Sequence, residues 1–181
     1  MPKPLALSFG VSLLLLCACR QNAQTTAPAP AASAEEQLAR IDELQTAIFP
    51  NGMRNGTDTA RAWPFVRAVE VFAEAYPEHP RSPDLLLDAA GLANGTGWTN
   101  KSIQLWGYVW RRTPEHPRAP EAMFYQGFVF DTKFENYELA AEYYDRVLAT
   151  YPASPFAAQA AGLKRLLARP DSSDTPASPA N

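Results

Sequence analysis

The residues best suited to acid–base or metal chemistry in this chain are its two histidines, His79 and His116. Both stand at the same place in copies of one phrase, which reads Tyr-Pro-Glu-His-Pro-Arg-Ser-Pro over residues 76–83 and Thr-Pro-Glu-His-Pro-Arg-Ala-Pro over residues 113–120. A position that recurs with the repeat favours a structural contact at a helix end. The sequence has no His-x-x-x-His pair, glycine-rich phosphate loop or Gly-x-Ser-x-Gly elbow. We therefore predict no catalytic residues, no metal site and no cofactor.

The phrase returns in altered form, as Tyr-Pro-Ala-Ser-Pro over residues 151–155. Its first prolines are Pro77, Pro114 and Pro152, which are 37 and 38 residues apart. Self-similarity at a period of about 20–50 residues is typical of a solenoid. Proline cannot continue a helix, whereas proline followed by an acidic residue suits the first turn of a new one. Each phrase therefore predicts a helix end, a short corner and a helix start.

Apolar residues at helical spacing between these corners predict an all-α fold. Ser33 and Glu36 form a capping-box pattern before the first helix. We expect the second helix to end at Tyr76 and either to start at Pro64 or to be kinked there. The expected helices span about residues 34–49, 64–76, 83–93, 100–112, 120–131, 137–150 and 155–168.

The unit from Pro120 to Pro152 resembles a tetratricopeptide repeat. The positions that carry the resemblance are Gly127, Phe130, Ala140, Tyr144, Val147 and Pro152, and the preceding unit has Ala90, Ala93, Ser102, Trp106, Val109 and Pro114 there. The period exceeds the usual length of about 34 residues, and we place the extra residues in stretches 93–97 and 131–136. The resemblance implies a short helical-hairpin solenoid of about two and a half repeats with a C-terminal capping helix.

The first 18 residues have the pattern of a signal peptide, with Lys3 before an apolar stretch and a small residue at the end. The sequence Leu16-Cys17-Ala18-Cys19 resembles a bacterial lipobox with Cys19 as the lipidated residue. A plain secretory peptide cut after Ala18, or a tail anchor, is the alternative. No aspartate follows Cys19, which favours the outer membrane with the body facing the periplasm, although surface display stays open.

Composition divides the rest of the chain. Residues 19–33 read as the lipidated cysteine and a flexible tether, residues 34–168 as the helical domain, and residues 169–181 as a disordered tail. The formal net charge is −3, which argues against a nucleic-acid partner because no basic stripe is available to displace counterions.

In tetratricopeptide repeats the first helix of each unit lines a concave groove, and the resemblance implies the same here. We predict a partner-binding groove that includes Leu87, Asn94, Phe124, Phe128 and Asp131. Phe124 and Phe128 are four residues apart and share a helix face. Together with the neighbouring acids Asp84 and Glu121, they suggest a peptide with apolar anchors and some basic character. Most of the other aromatic residues are expected in the core.

The sequence thus favours a membrane-anchored, tetratricopeptide-like scaffold for protein or peptide partners in the bacterial cell envelope, where it would assist envelope assembly. It does not identify the partner. One alternative is a small-ligand receptor or enzyme that uses the same groove. Another is a self-association module, in which the last helix docks on the first helix of a neighbouring copy.

Overall fold

The computed structural model describes residues 32–48 and 59–168, and all regular secondary structure in these two ranges is α-helical. The all-α fold of helical hairpins is confirmed. The predicted signal peptide, Cys19, most of the tether, the loop at 50–57 and the tail lie outside the described residues. The helices are α1 (Ala34–Ile48), α2 (Thr59–Ala75), α3 (Ser82–Gly95), α4 (Thr99–Arg112), α5 (Ala119–Thr132), α6 (Tyr137–Thr150) and α7 (Pro155–Leu167).

Each helix packs against the next one in the chain, and α5 also contacts α7. The hairpins are therefore α1–α2, α3–α4 and α5–α6, and α7 is the first helix of a further unit. One cluster of buried apolar residues runs through α1 to α5, and a second joins α5, α6 and α7. Because α5 contributes to both clusters, it is the helix that links the two parts of the core.

The predicted capping box at the start of α1 is present. The Glu36 backbone N–H donates to Ser33 Oγ at 3.2 Å, and the Ser33 N–H donates to the Glu36 carboxylate at 2.8 Å. These two bonds satisfy donors that the first helical turn cannot pair internally. Helix α2 begins at Thr59 and continues through Pro64. Of the two predicted alternatives, a start at Pro64 is therefore wrong, and a kink there stays a prediction.

The three corners, residues 76–83, 113–120 and 151–155, share one backbone pattern. The fourth residue of each corner donates its N–H to the carbonyl of the first, at 3.1, 3.0 and 3.0 Å. A second turn follows in each corner. In it, the backbone carbonyl of the same fourth residue accepts a hydrogen bond from the backbone N–H three positions later in the sequence, at 2.9, 2.8 and 3.1 Å. Pro83, Pro120 and Pro155 then stand in the first turn of their helices, as predicted.

The two histidines stabilise their corners. His79 Nδ1 accepts the Arg81 backbone N–H at 3.2 Å, and His116 Nδ1 accepts the Arg118 backbone N–H at 3.3 Å. In the third corner Ser154 replaces histidine and caps α7 by accepting the Ala157 N–H. The repeated histidine therefore has a local structural role in the corner.

The arginine of each full corner ties the corner to an acid on an earlier helix. Arg81 makes two hydrogen bonds to the Asp42 carboxylate of α1, at 2.6 and 3.1 Å. Arg118 binds Asp84 of α3 at 3.1 Å and Glu121 of its own helix at 2.8 Å. These contacts connect successive first helices of the hairpins, which are the helices expected to line the groove.

The α5–α6 hairpin depends on the absence of a side chain at Gly127. A Cβ atom there would lie 2.9 Å from Tyr143 Cβ and 3.1 Å from Tyr144 Cε1. The Tyr144 side chain is fully buried, and its hydroxyl donates to the Asp131 carboxylate at 2.9 Å. Burial, together with the hydrogen bond and negative charge of Asp131, raises the pKa of Tyr144 above its ordinary value. Gly127 thus allows α6 to approach α5 closely enough to form this contact.

Candidate interaction groove

The structure separates the two phenylalanines of α5 that the sequence placed together. The Phe124 side chain is only 4% exposed, and its ring contacts Tyr144 of α6 and Phe156 of α7 at centroid distances of 5.9 and 5.4 Å. Phe128 is 37% exposed and stacks against Phe124 at 6.1 Å. Phe124 therefore supports the core, while Phe128 presents apolar surface to solvent.

The other predicted groove residues have internal roles. Leu87 is buried in the first core cluster. Asp131 accepts the Tyr144 hydroxyl, as described above. Asn94 stands at the corresponding place in α3, where its Oδ1 is buried and finds no hydrogen-bond partner among the described residues. In α4 the repeat position that corresponds to Tyr144 is Trp106, which has no hydroxyl group.

An open groove lies between α5 and α7 and contains both phenylalanines. Its volume is about 900 Å³, and Leu166 of α7 is 54% exposed on its rim. The residues that line it are Phe124, Tyr125, Phe128, Gln159, Gly162, Leu163, Arg165 and Leu166. The side formed by α5 is aromatic, and the side formed by α7 combines two leucines with polar residues.

The contribution of α7 to this groove was missed from the sequence, which assigned the helix a capping role or, as an alternative, a role in self-association. Gln159, Leu163 and Leu166 recur at spacings of three and four, so they share one helix face. That spacing was available as a signal. It could not distinguish a groove wall from a core contact, because the same pattern serves both.

The charge of the groove differs from the sequence-based expectation. Among the described residues that line it, Arg165 and Tyr125 are the only ionisable ones. The acids that suggested a basic peptide already have partners, since Asp84 and Glu121 bind Arg118 and Asp131 binds Tyr144. The hydrogen bonds from Arg118 to Glu121 and Asp84 raise the pKa of its guanidinium, although burial opposes that shift. A partner with an acidic group near its apolar anchor fits this groove better than a basic one.

Neither the groove nor any other part of 32–48 and 59–168 brings together three His, Cys, Asp or Glu side chains that could hold a metal ion. In the same ranges, none of the helices has the length and hydropathy needed to cross a membrane.

Comparison with solved structures finds seven chains that match this one. No family profile matches this sequence, and no curated protein matches it either. A solved structure of a tetratricopeptide repeat protein from Parabacteroides merdae is similar at 18% sequence identity with a TM-score of 0.42. The match covers 74% of this chain and 54% of that one, so this chain corresponds to about half of the other protein. The helices and corners themselves are what establish an all-α, helical-hairpin repeat fold for this chain.

Proposed function

We propose that this protein is a scaffold that binds an apolar segment of a partner protein in the groove between α5 and α7. The observation that carries the proposal is the open groove, in which Phe128 and Leu166 expose apolar surface. Bulky anchors that enter a fixed apolar groove dominate the affinity of many peptide complexes. The proposed partner segment has two bulky apolar side chains and an acidic residue that pairs with Arg165.

The groove is preformed, because the aromatic residues at its base are held in place by packing against other helices. Phe124 fixes the position of Phe128 by stacking and is itself held by α6 and α7. A rigid floor reduces the conformational entropy lost when a partner binds. Binding a protein segment therefore requires little rearrangement of α5.

We further propose that the scaffold is tethered to a bacterial membrane through lipidated Cys19 and assists envelope assembly. The support is the lipobox-like sequence at residues 16–19 and the composition of residues 20–33, which suits a flexible tether. The absence of aspartate after Cys19 favours the outer membrane, with the helical domain in the periplasm. A multiply acylated cysteine would anchor the chain stably, unlike a single short acyl chain.

Peptide selection tests the groove. The protein from Arg20 onward is used to select binders from a phage-displayed library of random peptides, and a fluorescently labelled selected peptide is then titrated. We expect selected peptides to share bulky apolar residues, and the double variant Phe128→Ala with Leu166→Ala to weaken their binding by about tenfold or more. Tyr137→Ala removes a comparably exposed ring that does not line the groove and should leave binding unchanged. Selected peptides that bind the double variant as tightly as the native protein would show that the groove is not the site.

Membrane fractionation tests the tether separately. Expressed at native level in a bacterium with lipoprotein processing, the full chain should sediment with outer membranes, and Cys19→Ser should move it to the soluble periplasmic fraction. Cys17→Ser is the matched control, because the lipobox pattern does not use Cys17. Equal membrane retention of the Cys19→Ser variant would rule out lipidation at this position, whatever the outcome for the groove.

A further inference from the structure

A second depression lies at the turns inside the α3–α4 and α5–α6 hairpins. It has a volume of about 660 Å³, and none of the described residues that line it also lines the groove between α5 and α7. Its walls come from α2, the start of α4 and both turns. The lining residues are Trp63, Gly97, Trp98, Thr99, Asn100, Lys101, Gln104, Lys133 and Phe134. None of these residues belongs to the groove that was predicted from the sequence.

Aromatic rings dominate the apolar part of this depression. Trp63 is 44% exposed and meets Trp98 edge to face at a centroid distance of 5.0 Å. Phe134 is 46% exposed and rests on Phe130 at 5.8 Å. Two large exposed rings at one depression, each supported by another ring, form a fixed apolar surface. Such a surface suits stacking with an aromatic side chain of a ligand.

The charge of the depression is positive although the whole chain is acidic. Within residues 32–48 and 59–168, the ionisable residues that line it are Lys101 and Lys133. Lys101 Nζ is held by the Glu70 carboxylate at 2.6 Å, and Glu70 also binds Arg67 at 2.6 Å. The Lys133 ammonium group makes no hydrogen bond or ion pair with the described part of the chain. One lysine is thus fixed in place and the other is available to a ligand.

The carboxylate that fixes Lys101 stays ionised. Glu70 is almost completely buried, and burial by itself raises the pKa of a carboxyl group. The hydrogen bonds from Lys101 and Arg67 outweigh that effect and hold the pKa of Glu70 below its ordinary value. Two cations around one anion leave the region with a positive excess, which favours an anionic ligand.

The two turns that form the depression are the stretches where the sequence places the extra residues of the long repeat. Each turn passes through the left-handed backbone region, at Gly97 with φ of 88° and at Glu135 with φ of 52°. Glycine adopts this region readily, but for glutamate it is uncommon and strained. These turns place Trp98 and Phe134 at the depression. Strained backbone next to a surface site is often associated with binding.

We propose that this depression is a second binding site, for a partner segment that carries an aromatic side chain beside acidic residues. The ring would stack on Trp63 or Phe134, and carboxylates would pair with Lys133 and with the remaining donors of Lys101. The site differs from the α5–α7 groove in its aromatic and cationic character. It would let the scaffold hold two segments at once, so each could raise the effective concentration of the other.

Nuclear magnetic resonance of the ¹⁵N-labelled protein from Arg20 onward provides the test. The probe is the short peptide acetyl-Glu-Phe-Asp-Glu-amide, and two control peptides replace its acids with amides or its phenylalanine with alanine. We expect the probe to shift the indole N–H signals of Trp63 and Trp98, with a dissociation constant on the order of 1 mM or lower. Trp110 is the internal reference, because its indole N–H already donates to Gln126 and lies outside the depression. Both control peptides should bind at least about fivefold more weakly.

Variants locate the binding to the proposed surface. Phe134→Ala and Lys133→Gln should each weaken the probe about fivefold, and added salt should weaken it further. Tyr137→Ala, a nearby exposed ring, and Arg40→Gln, an exposed cation on α1, are matched controls that should have no effect. Unchanged indole signals at saturating probe, or equal affinity for the amide control, would overturn the proposal. The proposal would also be overturned if a neutral chitin oligosaccharide shifted the indole N–H signals of Trp63 and Trp98 and the probe peptide did not. These measurements do not depend on the α5–α7 groove, so either of the two binding proposals can be rejected without rejecting the other.

Discussion

Helices α5 and α7 begin alike but end in different surroundings. Each has proline in its first turn, Pro120 or Pro155, and glycine seven residues later, Gly127 or Gly162. In α5 a Cβ atom at the glycine would collide with Tyr143 of the following helix, whereas in α7 it would meet nothing within 4 Å. The same residue type therefore allows close helix packing in one unit and faces open space in the other.

The groove exists because α7 is packed on fewer sides than α5. Among the described residues, the substantial contacts of α5 are with α4, α6 and α7, whereas those of α7 are with α6 and α5. Leu166 of α7 consequently stays more than half exposed, while Phe130 of α5 is covered by Tyr143 at 5.4 Å. Apolar residues that a further helix would bury are instead available to a partner.

The largest expected effect distinguishes the buried ring of α5 from the exposed one. Phe124→Ala should lower the free energy of unfolding by about 3–5 kcal/mol, because it leaves a cavity between α5, α6 and α7. Phe128→Ala should lower it by no more than about 1 kcal/mol, since much of that ring is already in solvent. Urea denaturation followed by circular dichroism measures both values. Equal losses in the two variants would mean that Phe128 also belongs to the core.

A smaller effect is expected at the paired glycines. Gly127→Ala should destabilise the protein by about 1–3 kcal/mol, because the added methyl group forces α6 away from α5. Gly162→Ala meets no neighbour and should be neutral or stabilising by up to about 1 kcal/mol, since alanine favours a helix more than glycine does. The two variants are compared in the same urea titration. A destabilising Gly162→Ala would show that another segment packs on α7 in solution.

The smallest expected effect is the loss of stability at low pH, which should concern helices α1 to α4. The hydrogen bond and charge of Arg81 lower the pKa of Asp42, and burial opposes this shift only in part. The pKa of Glu70 is likewise lowered, because the hydrogen bonds and charges of Lys101 and Arg67 outweigh its burial. A carboxyl group whose pKa is lower in the folded than in the unfolded protein binds protons preferentially after unfolding. The free energy of unfolding should therefore fall as the pH drops below the unfolded-state pKa of about 4.

Hydrogen exchange resolved by helix measures where this acid effect occurs. Protection should decrease first in α1 to α4, and Asp42→Asn with Glu70→Gln should make the remaining stability less dependent on pH in this range. An unchanged pH dependence in that double variant would show that other carboxyl groups control acid unfolding.

The sequence predicted the fold well because prolines act locally. Pro77, Pro114 and Pro152 prevent helix continuation whatever surrounds them, so the corners follow from short-range geometry. Pro64 shows the limit of this argument, since α2 continues through it. A proline close to a helix start interrupts few backbone hydrogen bonds, and packing of the α2 face can outweigh them.

The candidate sites were less predictable because burial depends on contacts between distant segments. Phe124 and Phe128 share a helix face, and only the positions of α6 and α7 decide which ring is covered. The depression at Trp63 and Phe134 combines residues that are about seventy positions apart in sequence. No local pattern links them, although the long turns that bring them together were visible in the repeat length.

The open glycine of α7 also bears on how such a chain could evolve. Each unit starts at a corner built from its own backbone turns, so a copy of the α6–α7 segment could follow α7 without disturbing the units before it. The tyrosine pair of α6 would then find at Gly162 the space that it already uses at Gly127. Lengthening by duplication would close the present α5–α7 groove and create a new one at the next unit, so partner choice could change while the ancestral helices stay as they are.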